Sequence, residues 1–263
     1  VAYLSPGIHQ GRVLGTVLSG LLTGVLLSRS FSGILGSLMS WQLVYLLAAI
    51  FSLVLLGILH RYMPRDPRGH QHRSYGSVIG SLPHLFISQR YLQSAALNGL
   101  CLFGVSNVLW STLAFYLAHQ YHWGSSIAGV LGLLGVTGVL FAPIIGQLVD
   151  KYSPRLTIGL SWLFSALAFV IFWLVGQVLV GLIVGIVLLD LGTQFSQVSN
   201  QAIVQSLDRE ASSRNNSIFM FSYFLGGSLG TFCSTWAWSH YGWHGVCLVA
   251  VGFLVIALLG HWI

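Results

Sequence analysis

Long apolar runs separated by short polar joints organise this chain. Taking about 20 apolar residues as one bilayer crossing, the pattern predicts about eight spans. They cover roughly 13–36, 41–60, 91–118, 127–149, 156–176, 178–206, 216–239 and 243–262. Strands of a membrane barrel would alternate apolar and polar over ~10 residues. These runs are longer and do not alternate, so helices are expected. The joints carry turn formers: Pro64 and Pro67, the stretch from His122 to Ser126, Pro154 and Gly242. The longest polar stretch, 61–90, is rich in Arg, His, Gly and Pro and divides two spans from six. Its second part, Val78-Ile79 and Leu82 to Ile87, is apolar enough to lie along a membrane surface.

Composition agrees with the pattern. Of the 263 residues 55% are hydrophobic and 6% charged, where a soluble domain carries roughly a quarter charged. The expected fold class is therefore all-α, a polytopic membrane protein. A net charge of +6 raises the question of nucleic acid, but the cations sit in short clusters between apolar runs, as in cytoplasmic loops. With the first joint placed inside, Arg12, Arg61, Arg65, Arg68, Arg73, Arg90, Lys151, Arg155, Arg209 and Arg214 all fall on the cytoplasmic side. Of the 11 cations only Arg29 does not. Both termini are thus expected in the cytoplasm, and no nucleic-acid partner is expected. Trp41, Tyr121, Trp123, Tyr241 and Trp243 lie at the opposite ends, as an interfacial aromatic belt would.

One acid changes the picture. Between Arg155 and Asp208 the only formal charge is Asp190, set among Val, Ile, Leu and Gly. A carboxylate at the centre of a bilayer costs about 2.5–3.5 kcal/mol on insertion scales, so such a residue is by default functional. Helical spacing puts Gln194, Gln197 and Gln201 within about 40° of Asp190, with Thr193 and Asn200 flanking the stripe. An inward polar stripe headed by an acid suits a water-filled cavity; the rival reading is an interhelical hydrogen-bond network. Small-xxx-small pairs at Gly20/Gly24, Gly181/Gly185 and Gly226/Gly230 permit close helix approach.

Between two spans lies Gly146-Gln-Leu-Val-Asp150-Lys151-Tyr-Ser-Pro-Arg155. A carboxylate at a helix C-terminus is disfavoured by the dipole, so Asp150 calls for Lys151, Arg155 or a neighbouring helix N-terminus as partner. The spacing G-x-x-x-D-[RK]-x-x-x-R resembles the loop signature of the major facilitator superfamily in its second copy. The stretch Gly11-Arg12…Gly15…Ser19-Gly20…Gly24…Ser28-Arg29…Gly33…Trp41 is similar to the fifth helix of the drug- and sugar-efflux antiporter branch. Leu189-Asp190-Leu-Gly192…Gln197-Val-Ser-Asn200-Gln201, Arg214-Asn215 and Phe224-Leu-Gly226-Gly227…Gly230 are similar to its tenth and eleventh.

The resemblance implies a partial facilitator fold, helices five to twelve of twelve, with no counterpart of the first four. It implies a two-span remnant of the N-terminal bundle at 1–60, a cytoplasmic linker at 61–90 and a six-helix C-terminal bundle at 91–263. The fifth-helix signature of antiporters carries a Gly-Pro step, and this chain has no Pro between Pro6 and Pro64. The implied function is export of an unknown small molecule by a secondary transporter of a bacterial-type inner membrane, in exchange for protons. The alternative is a truncated remnant without transport activity, or a membrane protein acting by interaction. Asp190, Arg29, Gln194, Gln197, Asn200 and Gln201 are the expected substrate- or proton-coupling residues; Gly146, Asp150, Lys151 and Arg155 form the loop signature. Arg29 either snorkels to the interface or faces the cavity.

Other chemistry is not indicated. No HExxH, GxSxG, Walker or GxGxxG arrangement occurs, so no enzyme and no cofactor are expected. Cys101, Cys233 and Cys247 lie inside apolar stretches without metal-ligand spacing and read as small hydrophobes. His119 with His122, and His240 with His244, read as polar-tipped interface residues rather than a metal site. Asp208, Arg209, Glu210 and Arg214 form a mixed charged turn, structural or a gate latch. Beyond membrane lipid, the substrate and protons, no partner is implied.

Overall fold

A computed structural model describes residues 24, 27–28, 31–36, 38–62, 75–207 and 211–261. The described residues are helical almost throughout, and the helices follow the apolar runs. We number them α1 (Trp41–Tyr62), α2 (Tyr75–Ser88), α3 (Arg90–Tyr121), α4 (Ser125–Gly132), α5 (Val136–Lys151), α6 (Pro154–Val175), α7 (Leu179–Ser206) and α8 (Ser212–His261). A 3-10 turn, Leu133–Gly135, joins α4 to α5, which together make one crossing over Ile127–Val149. Among the described residues six helices are long and apolar enough to cross a membrane.

Local chemistry sets the ends. His122 adopts a left-handed conformation (φ 56°), and the N–H of Trp123 bonds back to the Leu117 carbonyl at 3.2 Å, closing α3 with a six-to-one turn. Ser153 caps α6, its Oγ accepting from Leu156 N–H at 3.3 Å, and Pro154 takes the first helical position. At 50 residues α8 is more than twice a bilayer crossing. Gly242 (φ 60°, ψ −150°) breaks it into two arms. Phe219 on one arm sits over Gly99, and Leu97 sits over Gly260 on the other. Both ends of α8 thus meet the same turn of α3, so the arms run antiparallel, as two separate apolar runs required.

Helix α3 is the hub. Its Val105, Val108, Leu109, Leu113, Tyr116 and Leu117 share one core with Phe169 and Phe172 of α6, Ile186 and Leu189 of α7, and Val246 and Ala250 of α8. Large apolar side chains also point outward, among them Leu174 (72% exposed), Phe232 (70%) and Val180 (67%). Hydrocarbon solvates such a surface; water would not. Helix α1 buries none of its residues. Helix α2 lies inside the 61–90 stretch and is tied to α8, where Arg214 Nη1 donates to Ser81 Oγ at 3.1 Å.

Candidate functional site

Asp190 sits near the middle of α7 and is only 7% exposed. Its helix is sorted by face. On one side Gly192 lies where a Cβ would meet Ser165 Oγ at 2.5 Å, and Ser199 Oγ donates to Thr157 Oγ1 at 2.6 Å, fastening α7 to α6. On the other, α5 approaches through Gly138. A Cβ there would lie 2.7 Å from Gln194 Cγ and 3.5 Å from the Asp190 carbonyl oxygen. The bare glycine is what lets Gln194 lie beside Asp190 under α5.

The rest of the stripe divides in two. Gln194, Gln197 and Gln201 are half-buried, as side chains lining a partly open surface are. Asn200 is fully enclosed: its Nδ2 donates to Ser196 O at 2.8 Å and to Ser196 Oγ at 3.1 Å, while Oδ1 has no hydrogen-bond partner among the described residues. Asn200 is thus turned back onto its own helix and does not line open space. Arg29 lies outside the described residues, as do Asp208, Arg209 and Glu210. Gly146, Lys151 and Arg155 are at the far end of α5 and the start of α6, remote along the chain from the Asp190 turn. Lys151 and Arg155 are exposed, and Lys151 Nζ stands 5.3 Å over the Tyr152 ring. The Asp150 side chain is outside what the structure describes.

A second polar surface was not expected from the sequence. A cavity of about 630 Å³ opens between α3 and the first arm of α8, lined by Phe103, Asn107, Ser228, Thr231 and Thr235 among others. Alongside it the two helices touch backbone to backbone. A Cβ on Gly226 would strike the Leu100 carbonyl and one on Gly230 the Gly104 carbonyl. The Ser111 and Ser234 hydroxyls hydrogen-bond across the seam at 2.9 Å. The signal was present as polar positions 228, 231 and 235 at helical spacing, opposite 107 and 111; glycine spacing alone pointed only to packing. The stacked rings of Phe103 and Tyr223 (centroids 3.9 Å apart) form one end of this seam.

At the end of the bundle opposite Lys151, aromatic residues do more than border a membrane. The last carbonyls of a helix lack intrahelical donors. Here Trp243 Nε1 donates to Phe172 O at 3.0 Å and Tyr121 Oη to Gly176 O at 3.2 Å, satisfying the end of α6 from α8 and α3. His119, His240 and His244 each lie against an indole, of Trp238, Trp236 and Trp173 respectively. Among the described residues no three His, Cys, Asp or Glu side chains gather as metal ligands would.

Six-helix packing around α3, a buried acid on α7 and a glycine-sealed polar seam can be set beside known proteins. The sequence profile of the Major Facilitator Superfamily matches residues 1–231. The chain belongs to that superfamily. Facilitators are transporters and not enzymes, which is the class expected from the sequence. The uncharacterized transporter YgaY of Escherichia coli O157:H7 is 34% identical over 262 residues, 99% of this chain and 66% of its own length. The inner membrane transport protein YnfM of E. coli K12 is 23% identical, over 98% of this chain and 63% of its length. The chain thus spans just under two thirds of the length of these relatives. The fold also superimposes on a bacterial homolog of the human lysosomal transporter Spinster, inward-facing and unoccupied, with a TM-score of 0.65 at 14% identity. That superposition covers 97% of this chain and 70% of the other. The facilitator fold and the membrane location therefore stand.

Proposed function

We propose that this facilitator exports a small molecule across a bacterial inner membrane in exchange for protons, and that Asp190 is the acid through which the two are coupled. The observation that carries this reading is Asp190 itself. A carboxylate buried in the middle of a membrane-spanning helix is expensive to keep, and it lies beside Gln194 where α5 leaves room through Gly138. Gln197 and Gln201 continue the polar face, and Asn107, Thr231 and Thr235 offer a second wall for substrate. In this reading the residues from 91 onward form one rocking bundle and those up to 60 contribute to the other, with the site near the midplane. Arg29 is the second candidate coupling residue of this reading, on the resemblance of its stretch to the fifth helix. The concentration of Lys and Arg in alternate joints supports cytoplasmic termini, and the likeness to YnfM, an inner membrane transport protein, supports the inner membrane.

The test is transport by the full reading frame in inverted vesicles, driven by an imposed proton gradient, with a panel of small organic compounds. Asp190→Asn is expected to abolish gradient-driven accumulation, whereas Asp190→Glu retains part of it. Unchanged, pH-dependent accumulation in Asp190→Asn overturns the assignment.

A further inference from the structure

At the aromatic end a pocket of about 360 Å³ opens between α3, α6 and the Gly242 turn. The indoles of Trp238 and Trp243 share its wall with His119, Gln120, Gln177 and His244, and among the described residues no Asp, Glu, Lys or Arg lines it. Tyr116 lines it as well. That side chain is 3% exposed, and its hydroxyl has no hydrogen-bond partner among the described residues. A second cleft, apolar and about 540 Å³, runs between α6 and the last arm of α8 from Trp173 to Leu258. Trp173 lines both, so the polar pocket and the apolar cleft adjoin at that ring. Each volume falls within the roughly 300–1,000 Å³ of ligand pockets.

The shape specifies the occupant. Hydrocarbon surrounds these helices, so the apolar cleft is filled by an alkyl chain. A tail alone does not account for a pocket of histidine, glutamine and indole at the cleft's end. A molecule with a long apolar tail and a compact polar head fits both parts. Ring faces hold an ammonium by cation–π attraction, and glutamine amides and histidine N–H groups donate to phosphate oxygens. Basic clusters are what anionic lipid surfaces attract, and the described residues of this wall include none. We propose that the composite site binds one zwitterionic phospholipid of the bilayer, its tail between α6 and α8 and its headgroup against Trp238, Trp243 and His244. The site is separate from the Asp190 face and does not depend on the transport reading.

Native mass spectrometry of the purified full chain, released from detergent and titrated with phosphatidylethanolamine or phosphatidylglycerol of identical chains, tests it. One phosphatidylethanolamine is expected to bind at least tenfold more tightly than phosphatidylglycerol. Val255→Trp plugs the cleft from its lipid side, where Val255 is 48% exposed, and should reduce that binding at least tenfold. Leu225→Trp, equally lipid-facing but outside the cleft, should leave it unchanged. The double variant Gln177→Ala, His244→Ala removes donors to the phosphate that both lipids carry and should weaken both severalfold; wild-type binding in it overturns the proposal. Equal affinity for the two lipids, or wild-type binding in Val255→Trp, overturns the proposal. Because Gln177 and His244 are exposed, the double variant decides the matter even if a tryptophan disturbs folding.

Discussion

Gly138 determines how much room Asp190 and Gln194 have. A side chain there must displace Gln194, whose Cγ would be 2.7 Å from a Cβ, and press toward the Asp190 carbonyl. Overfilling a packed site typically costs about 1–3 kcal/mol. Gly138→Val is therefore expected to lower the unfolding midpoint in detergent and to cut transport at least tenfold, while Gly159→Val, with open space around its Cβ, changes neither. Equal effects of the two substitutions would show that the glycine matters only for helix propensity. At this scale the sequence was partly legible. A lone acid in apolar surroundings and a run of glutamines three and four residues apart placed one face of α7. Asn200 could not be sorted from them, because its spacing puts it at the margin of the stripe and only packing against Ser196 decides which way it turns. Asn107 and Thr231 escaped for a related reason: a few polar residues at helical spacing mean little until the partner helix is known.

Between elements, the seam of α3 with α8 is held by absence of side chains and by one hydroxyl pair. Interhelical hydrogen bonds in membranes average about 0.6 kcal/mol, so Ser234→Ala, which removes the bond to Ser111, is expected to shift unfolding by that order only. Gly226→Leu drives a branched side chain into the backbone at Leu100 and should separate the helices, with loss of monodisperse protein on size exclusion. A Gly226→Leu protein as stable as Ser234→Ala would mean that the helices do not depend on backbone contact. A different tie runs from Arg214 to Ser81. Ser81→Ala, which frees the guanidinium, is expected to raise protease cleavage between 63 and 90 severalfold with no change in unfolding midpoint. Helix positions were readable from apolar runs and turn residues because both report local chemistry. The Gly242 break is a case: one glycine between two apolar runs forecast two arms. Within 61–90 the apolar positions 78–79 and 82–87 marked a segment lying along the surface, but its contact with α8 joins residues far apart in sequence and was not legible.

For the whole molecule, the surface divides into parts that meet lipid and parts that meet water, and the division follows from which helices have partners here. Val251 and Leu248 of α8 face hydrocarbon (46% and 60% exposed). Gln197 of α7 and Thr231 of α8 are half-buried but polar, and in a working facilitator polar groups at membrane depth persist where they line a wet cavity or bond within protein. Water access distinguishes these cases directly. With Cys101, Cys233 and Cys247 replaced, single cysteines at 197, 231, 248 and 251 are placed in turn in the full reading frame. Because a water-soluble maleimide reacts with thiolate in water and not in hydrocarbon, the first two should label in membranes and the last two should not. An imposed proton gradient that alters labelling at 197 and 231 together would tie both polar walls to one alternating cavity. Labelling at 197 with none at 231 would leave the α3–α8 seam as packing and confine transport to the Asp190 face.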